Sequence, residues 1–318
     1  MNDLSTISLG ERSSKVAVGD FARSVRNIDG AASLLEAFPR ILGGQAIREV
    51  VAALRAARRG HRPIIWGLGG HVIKVGLAPV LLELAAEGFV DVLALNGAAV
   101  IHDFEIALAG HTSQDVQVAL ERGDFGMTEE TGTLLNEIYA GGVRAGLGLG
   151  EALTEHMRGR SLPFGEHSLL AGAARLRIPV SVHLALGTDT SHFHPSAAWD
   201  LLGTGARRDF ARFSAWVAEL GRIPDTDGPA GVYLNVGSAV LLPEVFLKAI
   251  TVARNLGRDL TGMVTVCLDF LAQYRSTENV VRRPPAALGG KGYFLCGHHE
   301  IQIPLLAAAL LDRRATGD

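Results

Sequence analysis

Five apolar runs constrain this chain more than any other feature: RPIIWGLGG, FVDVLALNGAA, IPVSVHLALG, GVYLNVGSA and GMVTVCLDF. Each is close to continuously apolar instead of alternating, so each needs cover on both faces. Amphipathic segments separate them; GGQAIREVVAALRAARRG, for example, places Ile47, Val50, Val51 and Leu54 at helical spacing before Gly60. Strands alternating with helices in this way predict an α/β fold, a parallel sheet with helices on both faces. Strands are expected at residues 63–66, 90–95, 180–186 and 231–236, with a fifth within 262–270 and a short one before the C-terminal helix. VGLAPVLLELAAEG is expected to be a helix with its proline in the first turn.

Residues 1–34 are polar and weakly periodic and read as an N-terminal arm; no linker interrupts 35–318, which read as one domain. Glycine makes up 38 of 318 residues, and many glycines fall at the ends of the apolar runs, as tight strand-to-helix turns require. In open parallel sheets ligands bind beyond the carboxyl ends of the strands. The turns at 67–70, 96–98, 187–191 and 235–239 are therefore expected along one rim.

A net charge of −3 and 20% charged residues give no field that would attract nucleic acid or a membrane surface. Two cysteines, Cys267 and Cys296, form no disulfide framework, and the N-terminus carries no basic-then-apolar leader, so a cytoplasmic protein is expected. Only Lys15, Lys74, Lys248 and Lys291 are lysines among 30 basic residues, which singles each of them out.

Titratable side chains concentrate beside the turns. GTDTSHFHP, residues 187–195, offers Asp189, His192 and His194, and His183 lies in the preceding run. LNGAAVIHDFE offers Asn96, His102, Asp103 and Glu105 around a helix start; neighbours on a helix point about 100° apart, so His102 and Asp103 cannot both face one ligand unaided. Lys291 stands between Gly290 and Gly292, read as a loop, where a desolvated amine would become a nucleophile. TEETG, residues 128–132, reads as a helix cap and first turn.

The order of these segments resembles the deoxyhypusine synthase family, as a divergent member, from GGQAIREVVAAL to IPLLAAALL. GGHVIKVGLAPVLLELAAEGFVDVLALNGAAVIHDFEIALAG is similar to that family's glycine turn, helix, VDVL strand and following loop. IPVSVHLALGTDTS resembles its TDGS-type segment, GVYLNVGSAVLLPEVFLKA its glycine-rich strand and turn, and ALGGKG its active-site lysine motif. The resemblance implies a Rossmann-like sheet, a homotetramer, NAD as cofactor, and transient oxidation of an amine with Lys291 as covalent imine acceptor. It implies NAD neighbours at Gly69, Gly70, Asn96, Gly97, Thr188, Asp189, Ser191 and Gly237. His194 or His102 would act as general base, with Asp103 retained from the family's acidic set.

The family's paired glutamates fall on Ile101 and His102, and its later acidic residue on or near His194. A polyamine needs carboxylates to replace its water, so the substrate is expected to differ from spermidine. Two alternatives keep the fold: a hydrolase or isomerase with metal held by His183, His192, His194 or His298, and a non-catalytic dinucleotide-binding module.

Overall fold

In a computed structural model, residues 4–223 and 228–312 are described; the ends of the expected arm and domain, and residues 224–227, lie outside them. Six strands, β1 (Ile64–Leu68), β2 (Val92–Asn96), β3 (Val180–His183), β4 (Val232–Val236), β5 (Val264–Asp269) and β6 (Lys291–Cys296), form one sheet in the order β3-β2-β1-β4-β5-β6. Every pairing is parallel. The chain winds outward through β2 and β3, then returns to place β4 against β1. That reversal makes the crevice beyond β1 and β4 the topological switch point.

Alternate strand residues feed two cores. Trp66, Leu68, Leu234 and Val236 point to the side where Val50, Val51 and Leu54 of the helix Leu42–Arg59 are buried. Ile65 and Tyr233 point to the other, packed with Phe213 and Phe246 from the helices Trp199–Val217 and Leu241–Asn255. This two-sided burial is why the strands read as continuous apolar runs. Tyr233 stacks on Phe246 with ring centroids 3.8 Å apart. Gly67 lacks the side chain that would collide with the Tyr233 hydroxyl.

The expected strands are present, with shifted ends. β1 continues to Leu68, β2 starts at Val92, and β3 stops at His183 although LAL continues the apolar run. The last β2–β3 pair is Asn96 with His183, and at Gly97 β2 turns into the helix Gly97–Ala109. Beyond that point β3 has no partner to pair with, and Leu186 is exposed. Pro79 lies at the start of the helix Ala78–Ala86, as its fixed φ favours. The helix Ala31–Ala37 straddles the expected boundary at 34 and buries Leu35 and Ala37. No helix among the described residues is long and apolar enough to cross a membrane.

Candidate active site

The turns after β1, β2, β3 and β4 lie along one rim, because all the strands run in the same direction. At the switch point, a side chain on Gly69 would strike the Gly237 carbonyl, so the two turns touch backbone to backbone. Gly237 has φ of 66°, in the left-handed region that favours glycine, and its α-carbon faces the buried ring of His299. A side chain on Gly70 would meet Ala98 and His102, and one on Gly97 would meet the Asp189 carboxylate. The chain's own atoms thus occupy the space these glycines leave. The glycines shape the rim; the ligand-directed groups are side chains.

A cleft of about 280 Å³ opens beside these turns, near the small end of ligand pockets. The helices Gly70–Lys74, Gly97–Ala109 and Glu129–Arg144 and the segment 188–191 wall it, and Lys74, His102, Glu105 and Asp189 line it. A larger cleft of about 550 Å³ lies against the helix Leu42–Arg59. There Arg48 is committed to the carbonyls of Leu35, Phe38 and Pro39, which reads as packing of the N-terminal segment.

Asp189 is the cleft's uncommitted carboxylate. Its Oδ2 is buried without a hydrogen-bond partner, and burial raises its pKa to about 6. His192 Nε2 lies 3.6 Å away, too far for a hydrogen bond, and is itself unpartnered. Gly187 N–H donates to His192 Nδ1 at 3.2 Å, so the ring's proton sits on Nε2, toward Asp189. Such orphaned buried groups are costly unless a ligand or water completes them.

His102, half-buried on the helix Gly97–Ala109, also lines the cleft. Its Nδ1 lies 2.7 Å from Thr112 Oγ1, and Thr112 in turn donates to Glu105 Oε2. Thr131 donates to the other Glu105 oxygen at 3.1 Å. Burial first, then the nearby Lys74 ammonium, lower the His102 pKa against the opposing pull of Glu105. Lys74 sits exposed at the end of its short helix, facing the same cleft.

The remaining expected site residues divide. Asn96, Gly97, Thr188 and Ser191 are all at the rim, but Asn96 Oδ1 caps its helix by accepting from Ala99 N–H at 2.9 Å, and Thr188 donates to the Ala185 carbonyl at 2.8 Å. Asp103, expected near the chemistry, points away from the cleft. It is fully buried and accepts from Ser168 Oγ, Leu169 N–H and Leu170 N–H at 2.6, 2.6 and 2.9 Å, which caps the helix Leu169–Leu176. Burial outweighs those bonds and lifts its pKa to about 6. Asp103 is a structural anchor, as the 100° separation from His102 requires.

His194 does not line the cleft. Its ring sits in the space left by Gly132 on the helix Glu129–Arg144, and Ser196 N–H donates to its Nδ1 at 3.3 Å. TEETG, read from sequence only as a helix start, therefore also supplies a seat for this ring. His183 is a core residue: its Nε2 meets Ser181 Oγ at 3.0 Å, its ring packs edge-on against Phe213, and burial lowers its pKa to about 3. His298 is exposed beside Glu300. Among the described residues, no group of three or more His, Cys, Asp or Glu side chains is arranged to hold a metal ion.

Lys291 is the largest departure. It opens β6, paired with Val264 at the first register position, whereas the rim lies beyond the last pair, Asp269 with Cys296. Five residues of strand put it about 17 Å from that end. Its side chain is 70% exposed, with Nζ 3.7 Å from Glu49 Oε2. The flanking glycines that suggested a loop serve packing: a side chain on Gly290 would strike the Met263 carbonyl, and one on Gly292 the Val281 carbonyl. Within one chain, the structure does not bring Lys291 to the rim. The lysine that does line the cleft is Lys74, which its rarity in the sequence singled out but no motif did.

No family model matches the chain. A Methanosarcina mazei protein named probable deoxyhypusine synthase 1 is 24% identical over 189 residues, which cover 51% of this chain and 59% of that protein. The solved ternary complex of AgrE with ornithine and NAD+ superposes with a TM-score of 0.54 at 17% identity, over 86% of this chain and 34% of AgrE. Unliganded AgrE gives 0.50 at 15% identity, over 84% and 32%. The chain thus spans little more than half of its sequence relative and about a third of AgrE. Its Rossmann-like sheet is shared with AgrE, and half of its sequence is similar to a deoxyhypusine synthase.

Proposed function

We propose that this chain is an NAD-dependent enzyme acting on a small amine, with the cofactor along the β1–β4 rim and the substrate in the cleft walled by His102 and Asp189. The observation that carries this reading is Asp189, a carboxylate lining that cleft whose buried Oδ2 has no hydrogen-bond partner. A carboxylate in such a position accepts paired hydroxyls, as a ribose presents them, or an N–H donor. Likeness to a probable deoxyhypusine synthase, and in fold to part of AgrE, which was solved in complex with ornithine and NAD+, supports the cofactor class.

Gly69, Gly70 and Gly237 would keep the rim low enough for a dinucleotide to lie across it, with Asp189 and the segment 188–191 at one end. When bound, NAD supplies the acceptor for a hydride from the amine-bearing carbon. That oxidation also releases a proton from nitrogen, and His102 Nε2, which makes no hydrogen bond among the described residues, is placed to take it. Lys74 adds positive charge to the cleft, and both oxygens of Glu105 are held by threonines. A multiply charged polyamine would find Asp189 as the one unengaged carboxylate among the described residues of the cleft, so the substrate is a compact amine. Lys291 has no part in the single-chain site. Half-exposed Leu186, Phe193 and Trp199 beside the rim favour self-association, and a tetramer is the assembly the family resemblance implies.

Differential scanning with and without NAD tests the cofactor, and mass spectrometry of small molecules released from natively purified protein tests the substrate class. No NAD-dependent shift at millimolar concentration, with no dinucleotide released, overturns the reading.

A further inference from the structure

The hydrogen-bond polarity around His102 can be worked out from its neighbours. Glu105 accepts through both oxygens, from Thr112 and from Thr131, as a carboxylate does. Thr112 has a single hydroxyl proton and gives it to Glu105. Its contact with His102 Nδ1, at 2.7 Å, must then run the other way, with Nδ1–H donating to the hydroxyl. The neutral ring therefore keeps its proton on Nδ1 and leaves Nε2 bare. His192, behind Asp189, has the opposite polarity: the backbone N–H of Gly187 donates to its Nδ1, which puts its proton on Nε2.

We infer that Thr112 and Glu105 are positioning residues that hold His102 in its Nδ1–H tautomer, making Nε2 the one bare imidazole nitrogen offered to the cleft. This rests on the cleft being the substrate site. Other groups facing the ring reinforce the assignment. Gly70 packs against its carbon edge and offers no side-chain donor to Nε2, and the Lys74 ammonium favours the neutral form. The ligand must then present an N–H or O–H to His102. In the proton transfer, that bond breaks, its electron pair stays on the ligand atom, and the proton goes to Nε2. The resulting imidazolium keeps Nδ1–H on Thr112, with the Glu105 charge one hydroxyl away, the orienting logic of a base held by a third group.

The sequence hides this relay because Thr112 follows Gly110, whose φ of 73° ends the helix and turns the chain back. The hydroxyl returns to the ring from outside the helical period.

Long-range proton–nitrogen correlation on uniformly ¹⁵N-labelled full-length protein, without NAD, reads the tautomer directly. His102→Asn assigns the His102 signals. Above neutral pH, His102 should show a pyrrole-type Nδ1 and a pyridine-type Nε2. Thr112→Val should shift it toward Nε2–H, and Thr112→Ser should restore the Nδ1–H form. A purely structural Thr112 would leave the tautomer unchanged, which overturns the proposal. So does an Nε2–H ring in the unmodified protein, which decides the matter even if Thr112→Val fails to fold. NAD binding is measured separately. An Nε2–H ring in a protein that binds NAD sinks only this inference; an Nδ1–H ring in a protein that does not sinks only the cofactor reading.

Discussion

The Asp189 carboxylate rests against the α-carbon of Gly97, in space that any side chain at 97 would fill. This contact fixes the 187–191 turn over the start of the helix Gly97–Ala109 and brings the ends of β2 and β3 into one wall of the cleft. It also confines a carboxylate where Oδ2 finds no partner. Placing an uncompensated acceptor there costs stability, as sites prepared for a ligand commonly do.

The first prediction follows from that cost. Asp189 has a folded pKa near 6 against an ordinary 3.8. For an acid raised on folding, the native state binds more protons than the unfolded one between those values. Stability is therefore greatest below pH 4, falls as pH rises through 6, and is level above. At 1.36 kcal/mol per pKa unit, the Asp189 share is about 3 kcal/mol at most. Asp189→Asn should melt higher than the unmodified protein at pH 7, with the difference vanishing near pH 4. Its NAD-dependent shift should be largely lost. Equal melting temperatures for the two proteins at pH 7 would show that the carboxylate is satisfied in solution.

Asp103 should behave differently although its pKa is raised to a similar value. Its oxygens hold one hydroxyl and two amides at the start of the helix Leu169–Leu176. Losing a cap costs roughly 0.5–2 kcal/mol, and each buried donor left unpaired adds roughly 1–3. Asp103→Ala should lose about 3 kcal/mol or more in chemical denaturation. Whatever fraction stays folded should bind NAD as before. A stable Asp103→Ala protein that fails to bind NAD would return Asp103 to the site.

Lys291 gives the sharpest contrast between sequence and structure. Its pairing with Glu49 is exposed, and such pairs contribute about 0–1 kcal/mol. Lys291→Ala should leave both stability and the NAD-induced shift essentially unchanged. At 100 times the dissociation constant that shift corresponds to about 2.7 kcal/mol, large enough to detect a loss. Loss of NAD binding in Lys291→Ala would mean that another copy of the chain carries this lysine to the rim.

These outcomes mark what the sequence could convey. Continuous apolar runs broken by glycine turns specify a parallel sheet, and a parallel sheet puts its turns on one rim, so Gly69, Gly97, Asp189 and Gly237 could be grouped from their positions alone. Lys291 could not be placed in that way. β6 is an edge strand with intermediate burial, and its flanking glycines look like loop residues until the Met263 and Val281 carbonyls are seen against them. Asp103 and Ser168 are 65 residues apart, and His102 meets Thr112 only because the chain doubles back at Gly110. Periodicity reports which face a residue is on, but not which distant hydroxyl will meet it there.

The last prediction concerns Lys74. Its ammonium is one of two effects lowering the His102 pKa, the larger being burial. Lys74→Ala removes the charge without touching the ring or the Thr112 contact, so His102 should protonate at a higher pH while keeping its Nδ1–H form when neutral. Titrating the ring by NMR checks both at once. Because Lys74 is exposed, salt screens its effect, and raising the salt in the unmodified protein should move the titration in the same direction by less. The stability consequence has a definite sign. A histidine whose folded pKa is depressed loses stability as pH falls from its ordinary value, near 6.5, toward the folded one. Lys74→Ala should therefore flatten the acid side of the stability curve in that window. If His102 titrates identically with and without Lys74, the ammonium does not face this cleft in solution, and the argument against a polycationic substrate loses part of its support.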